Sequence, residues 1–445
     1  MSAVLDVTHP SPWRGRHGRT TVGVFSLAFL FAFEALAVST VMPRVADQLD
    51  GLSWYPVAFA GPLAASIVAL AWAGPAADRY GPGPVLRRGL VIFTLGVLLA
   101  GAAPTMPLFV AGRLVHGYGG GVLGVALYVL IAQAYPEAMR PRVFAVLTTA
   151  WVLPALVGPL LAAQIADAVG WRWVFLGVPA LAFAAWLLVA DAPSRPSSVG
   201  PEKVGLRFAW LTAGGALLLA LAGQRVVAWW PGLVILGVVA IYVGGRRLLP
   251  PGSWRLAPGL PAVLLTRAAI GTSFAAAEVY LPLLLTMKRG LSLTEAGWVL
   301  TIGAITWSAG AVLAARWQAL ADQPGRVRIG AGLVAVGLLG FTTVAIPAVP
   351  LAVPLAAWGV GGLGIGMAFS TLSVLALATA RDGEEGRTSA ALQTNDYISI
   401  AAFLAIGGVV FAGFAQNAPV AAATGLVLTA AVLAALALVP ARRLA

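Results

Sequence analysis

The chain has no cysteine, only two lysines, three histidines, and charged side chains at just 10% of its 445 positions. Without cysteine there is no disulfide, thiolate nucleophile or thiolate metal site, and the redox compartment is unreadable. Neither Lys203 nor Lys288 sits in a G-x-x-x-x-G-K-[ST] loop, which excludes a phosphate-cradling nucleotide site and so an ATP-driven pump built from this chain alone. A membrane-bound transferase would want histidines and acids clustered at an interface, and only His116 lies inside an apolar run. No metal, no cofactor and no enzymatic activity are expected.

What is present is apolar surface. Hydrophobic residues make up 60% of the chain and the mean hydropathy is +0.91. A soluble domain is nearer half apolar and a quarter charged, so this composition belongs in a bilayer. The 52 glycines and 30 prolines fit the same setting. Membrane helices tolerate both, because neighbouring helices re-satisfy freed backbone groups and glycine permits close approach. A formal charge of +12 could suit a nucleic acid, but the basic residues punctuate the gaps between apolar runs instead of forming a patch. No nucleic-acid partner is expected.

Arg14, Arg16 and Arg19 precede a first apolar run at roughly 20–43. Ala35-Leu36-Ala37 could pass for a secretory cleavage site, but the run continues to Met42 and reads as a first span. About 20 apolar residues cross a ~30 Å hydrocarbon core. Such runs lie near 21–43, 54–77, 89–104, 107–134, 143–167 and 173–191, then 208–223 and 228–245, then 260–286, 293–315, 328–347, 350–380, 388–414 and 418–440. The pair at 208–245, turning at Gln224-Arg225, is short, and a re-entrant or surface hairpin there would keep the same sidedness.

Fourteen spans with a cytoplasmic N-terminus leave Arg44, Arg172, Arg225, Lys288 and Arg289 outside and Arg113 and Arg267 within spans. The other basic residues, among them Arg140, Arg142, Arg246, Arg247, Arg326, Arg328, Arg442 and Arg443, then face the cytoplasm. That bias orients both termini inward, in a plasma or inner membrane.

Asp78-Arg79-Tyr80-Gly81 follows the second span, and Asp322-Gln323-Pro324-Gly325 follows the tenth. The offset of 244 residues between them also carries Glu34, in the first span, onto Glu278, in the ninth. Duplicated halves are a mark of transporters. The expected architecture is an all-α polytopic membrane protein of two six-helix bundles with a two-helix insert. Its segments are a cytoplasmic tail at 1–19, a bundle at 20–191, a linker carrying the hairpin at 192–257, and a second bundle at 258–445.

Several motifs carry a resemblance. Gly74-Pro-Ala-Ala-Asp78-Arg79-Tyr80-Gly81, with Arg87 and Arg88 downstream, resembles the G-x-x-x-D-R-x-G-R-[RK] loop of the major facilitator superfamily, departing from it at Pro82 and Gly83. Arg113-Leu-Val-His116-Gly117-Tyr-Gly119 is similar to the family's R-x-x-Q-G-x-G, with histidine for glutamine. Gly158-Pro159-Leu-Leu-Ala162-Ala163 resembles the antiporter motif G-P-x-x-G-G, and Trp171-Arg172-Trp173-Val-Phe175 the W-R-W-I-F stretch of drug:proton antiporters. Aligned on Pro43, the first-helix motif of the fourteen-helix branch places its acid on Glu34 and its asparagine on Ser39. The resemblance implies alternating access, with the Asp78–Arg79 loop as a gate in which Asp78 accepts from a neighbouring helix N-terminus.

Residues that could couple protons are acids inside spans, where a charge costs several kcal/mol unless it meets a cavity or a partner. At 1.5 Å per residue, Glu34 lies about 20 Å into its helix, Glu278 about 27 Å and Asp396 about 12 Å. A carboxyl taken out of water holds its proton more tightly, as a proton carrier must. The plainer reading of each is a protonated acid that hydrogen-bonds between helices. Arg113 cannot lose its proton and needs a carboxylate or a set of carbonyls; it either tunes an acid or packs helices. His116 lies three residues on, on the same helix face, and either titrates or replaces a polar glutamine. Arg267, near the inner end of its span, is expected to snorkel to the headgroups. Trp54, Trp171, Trp173, Trp229 and Trp230 read as interface anchors. Gly158-Pro159 should bend its helix. Trp151, Trp307 and Phe369, with Gln393 and Asn395, are cavity candidates or lipid-facing packing.

The reading that follows is a secondary transporter, a proton-coupled antiporter exporting lipophilic or amphipathic compounds. A uniporter or importer of a polar metabolite, or a lipid exporter on the same fold, is the alternative. Its partners would be a small-molecule substrate, protons and lipids, and a monomer is expected.

Overall fold

The computed structural model describes residues 13, 15–136, 139–192, 194–195, 205–224, 228–253, 257–316, 322–379 and 385–444. Most of the tail at 1–19, Lys203 and Arg225 lie outside the described residues. Fourteen described segments are long and apolar enough to cross a membrane, so the chain is an integral membrane protein. They are α1 (Gly15–Gln48), α2 (Tyr55–Tyr80), α3 (Pro82–Gly101), α4 (Met106–Ala134), α5 (Arg140–Ala168), and α6 (Arg172–Leu176) with α7 (Val178–Val189) as one span broken at Gly177. The hairpin follows as α8 (Leu206–Gly223) and α9 (Trp230–Leu248). The rest are α10 (Leu260–Arg289), α11 (Leu293–Arg316), α12 (Gln323–Phe341), α13 (Ala352–Ala378), α14 (Glu385–Phe414) and α15 (Pro419–Leu436).

Proline and glycine punctuate this chain where the backbone allows it. Proline stands in the first two positions of α2, α3, α4, α5 and α10, where its missing N–H would have found no helical partner anyway. Gly81, at φ 81°, reverses the chain between α2 and Pro82. Asp322 caps α12 by accepting from the Gly325 N–H at 2.7 Å.

Packing repeats along the chain. Helix α1 packs on α5 and α7, as α10 packs on α14 and α15; α2 and α3 pack on α4, as α11 and α12 pack on α13. The offset seen in the acids is therefore a duplication of helix packing. The halves meet through α2 against α14 and α5 against α11. The hairpin is not peripheral to this seam: α8 packs on α2 of the first half and on α14 of the second.

Two sequence expectations change. Trp171 is an interior residue, 1% exposed, its Nε1 donating to Gln48 Oε1 at 2.9 Å and its ring edge-on to Phe109 and Phe175. Its indole N–H finds a buried partner, so nothing draws it to the headgroups; Trp173 and Trp229 are exposed as anchors should be. Arg267 does not snorkel, because a carboxylate on a neighbouring helix reaches it within the bundle.

Candidate transport site

The first buried charge cluster is built by glycine. A Cβ on Gly117 would run into the backbone of Pro62, and one on Gly96 into the backbone of His116, so α4 lies hard against both α2 and α3. That approach carries Arg113 and His116 inward toward Glu34 on α1. Arg113 Nη1 donates to Glu34 Oε1, Arg113 Nε donates to the Ala58 carbonyl at 3.3 Å, and His116 Nε2 lies 2.6 Å from Glu34 Oε2. All three side chains are at most 5% exposed. The partners Arg113 demands are thus both a carboxylate and a carbonyl.

The second cluster is in the other half. Arg267 on α10 donates from Nε and Nη2 to both oxygens of Asp396 on α14, at 2.9–3.0 Å, and from Nη1 to Ser373 Oγ at 2.8 Å. Its guanidinium lies 3.5 Å from the ring centroid of Phe369. A fork-to-fork pair of this kind is geometrically specific as well as charged. Trp307 stands edge-on to Phe369 and to Phe274. On α10 the residues 267, 271, 274 and 278 recur at helical spacing, so Arg267, Gly271, Phe274 and Glu278 share one face. Glu278 itself makes no hydrogen bond or ion pair among the described residues.

The remaining candidates fall into different settings. Asn395 is buried and donates to the Leu264 carbonyl at 3.0 Å, while Gln393 is half-buried beside it on α14. Trp151 is 42% exposed and edge-on to Phe31 of α1. Gly158 faces Phe33, and Pro159 lies inside α5 next to Gly297 of α11, at the seam of the halves. Gly74 has open space around it. Asp78 is half-buried, Arg79, Arg87 and Arg88 are exposed, and Arg79 and Arg88 both lie against Tyr80. Asp78 makes no hydrogen bond or ion pair among the described residues.

The halves are joined at the face opposite the start of α1. Tyr55 on α2 donates to the Val279 carbonyl at 3.0 Å and packs on Tyr280 and Phe411. Thr294 Oγ1 contacts Asp167, which also pairs with Arg44, and Thr301 donates to the Leu156 carbonyl. Beyond this seal lies a cavity of about 680 Å³ bordered by Asp47, Asp50, Thr286 and Gln416. Sequence reasoning missed Tyr55: a tyrosine at a span end looks like an interface anchor, and only the partner half shows otherwise.

Two duplicated helical bundles, sealed at one face around buried charge pairs, define a secondary-transport architecture. The chain belongs to the Major Facilitator Superfamily, whose family model matches residues 24–404, and it is a transporter, not an enzyme. It is 29% identical over 450 residues to a probable multidrug-efflux transporter of Mycobacterium tuberculosis, covering 95% of this chain and 94% of that one. A multidrug resistance protein B homolog of the same species is 33% identical over 181 residues, covering 39% and 34%. Among solved structures, a D-xylose–proton symporter superposes with TM-score 0.67 at 16% identity, covering 94% of this chain and 97% of that one. A peptide transporter bound to sulfate gives 0.70 at 14%, covering 97% and 96%. At those identities the likeness is one of fold.

Proposed function

We propose that this chain is a proton-coupled antiporter that exports lipophilic or amphipathic compounds by alternating access, with Glu34, Glu278, Asp396 and Arg113 as its coupling residues. The observation that carries the reading is the pair of acids at equivalent places in the duplication. Glu34 is locked to Arg113 and His116, whereas Glu278 has no hydrogen bond or ion pair among the described residues, on the face it shares with Phe274 and Arg267. An uncompensated acid inside a span is costly, and a carboxyl that alternately binds a proton and releases it to a substrate-loaded cavity gives it a use. The efflux relatives support the direction of transport.

In this reading 20–191 and 258–445 are the moving bundles and 192–257 the linker with its hairpin. Both termini face the cytoplasm of a plasma or inner membrane, which the distribution of arginine supports, and the protein works as a monomer among lipids. The described conformation is then sealed on the outside by Tyr55 and its neighbours. Proton entry down ~100 mV yields about 2.3 kcal/mol per charge.

The test is proton flux across proteoliposomes during substrate movement, with Glu34→Gln and Glu278→Gln alongside the parent. Each variant keeps side-chain shape and removes a titrating group. Both should still exchange substrate without a gradient and fail to concentrate it under a proton-motive force. Variants that still concentrate substrate would end the coupling role of these acids.

A further inference from the structure

The motif that Arg113–Gly119 resembles has glutamine where this chain has His116, and the geometry around that ring says what the difference does. Arg113 Nη1 lies 3.1 Å from His116 Nδ1. A guanidinium only donates, so Nδ1 must be the accepting nitrogen and the ring proton must sit on Nε2. That proton faces Glu34 Oε2, 2.6 Å away. Two lone pairs would not approach so closely without a proton between them, yet the contact is out of line, and neither Oε2 nor Nε2 completes a well-formed hydrogen bond. The three groups form a closed ring: Arg113 touches both Glu34 and His116, and His116 touches Glu34.

We infer that His116 is the residue that takes up the transported proton in the first half, and that Arg113 blocks it until the bundles move. In the described state the one imidazole nitrogen able to accept a proton is covered by Arg113, and Glu34 already has its counter-charge. When Arg113 withdraws, Nδ1 is uncovered, a proton adds there, and the imidazolium replaces the guanidinium as the partner of Glu34. The exchange is balanced. One proton enters, no other bond changes, Glu34 keeps a cation beside it, and the charge of Arg113 is released toward its new surroundings. When Arg113 returns, it displaces that proton. Glutamine in the same place could bridge Glu34 and Arg113 but could not hold a proton, so it would leave Glu34 as the sole carrier.

No other titratable group faces the ring among the described residues. Helix α3 presents Phe93 at a centroid distance of 4.8 Å and the backbone of Gly96, α1 presents Phe31 beside Glu34, and α2 contributes the Ala58 carbonyl to Arg113. Phe93 and Phe31 shield the ring, so a proton arriving there stays in the pair.

This inference rests on the proton-coupled reading, and two measurements separate its failure from that of the reading. The chain has three histidines, His9, His17 and His116, so His9→Gln with His17→Gln leaves a single imidazole for nitrogen-15 NMR in lipid bilayers. The expected spectrum near neutral pH is the neutral ring protonated at Nε2; adding Arg113→Gln should convert it to imidazolium under the same conditions. A ring protonated at Nδ1 in the parent, or one that stays neutral after Arg113→Gln, overturns the proposal whatever transport does. In proteoliposomes, His116→Gln should fold and exchange substrate, lose the pH dependence of driven transport, and move fewer protons per substrate. Parental proton flux and pH profile in His116→Gln, with coupling lost in Glu34→Gln, also overturn it while leaving the antiport reading intact. Coupling retained in Glu34→Gln instead removes the reading on which it rests.

Discussion

Arg113→Gln gives the sharpest energetic test of the site. The side chains of Glu34 and Arg113 are 1% and 5% exposed, so the variant takes the guanidinium from a carboxylate with no water to share its charge, and only an imidazole that gains a proton can replace it. Breaking a buried pair from one side costs about 3–5 kcal/mol, whereas replacing both partners is often close to neutral. His116 still reaches Oε2, which places the loss toward the lower figure. Glu34→Gln with Arg113→Gln should therefore recover most of it, with a coupling energy of about 2 kcal/mol in the double-mutant cycle, inside the range measured for contacting residues. The assay is denaturant unfolding of purified protein in mixed micelles, run for the parent, both single variants and the double variant. Acid should shrink the Arg113→Gln deficit, because a protonated Glu34 needs no counter-charge. If the losses of the two single variants simply add in the double variant at every pH, the contact carries no energy and the ring built on it fails.

Asp396→Asn should destabilise by a similar amount, about 3–5 kcal/mol, since it leaves Arg267 buried with Ser373 and Phe369 only, and adding Arg267→Gln should restore much of it in the same unfolding assay. Tyr55→Phe keeps the aromatic cluster and removes the bond to the Val279 carbonyl. A net loss of about 1 kcal/mol should shift the population roughly fivefold toward separation at that face, read as longer spin-label distances across the seam. Removing residues 208–245 should leave the C-terminus and the Lys288 loop on opposite sides of the membrane, as tags at both would report. Transport should nevertheless fall, because α8 is packed between α2 and α14; full activity would show that the hairpin supports neither half.

Most of the architecture was legible because a bilayer leaves few options. Apolar runs must be helices, and a shared offset in four acids exposed the duplication. Fourteen helices follow, with the hairpin helices long enough to span. What the sequence could not show is which side chains meet. Glu34 and Arg113 are 79 positions apart and Arg267 and Asp396 are 129 apart; composition says each needs a partner but not which helix supplies it. Arg267 near a span end was read as snorkelling because its depth is visible in the sequence and Asp396 across from it is not. Trp171 failed likewise: its partner Gln48 lies on a different helix.

The duplication is kept in the backbone and broken in the chemistry. The same 244-residue offset that carries Glu34 to Glu278 carries Arg113 to Ala357 and His116 to Val360, so the second half has no cation where the first has two basic groups. Conversely Arg267 and Asp396 correspond to Gly23 and Val152, and the first half has no such pair there. Each half therefore holds a buried ion pair, but on different helices: α1 with α4 in the first and α10 with α14 in the second. The equivalent acids are left unequal, Glu34 neutralised in place and Glu278 without a polar partner among the described residues. Two identical halves would hold two equivalent carboxyls. Moving the cation from one site to another while keeping the acid gives two carboxyls with different surroundings inside one frame, and the proposed proton-coupled exchange would draw on that difference.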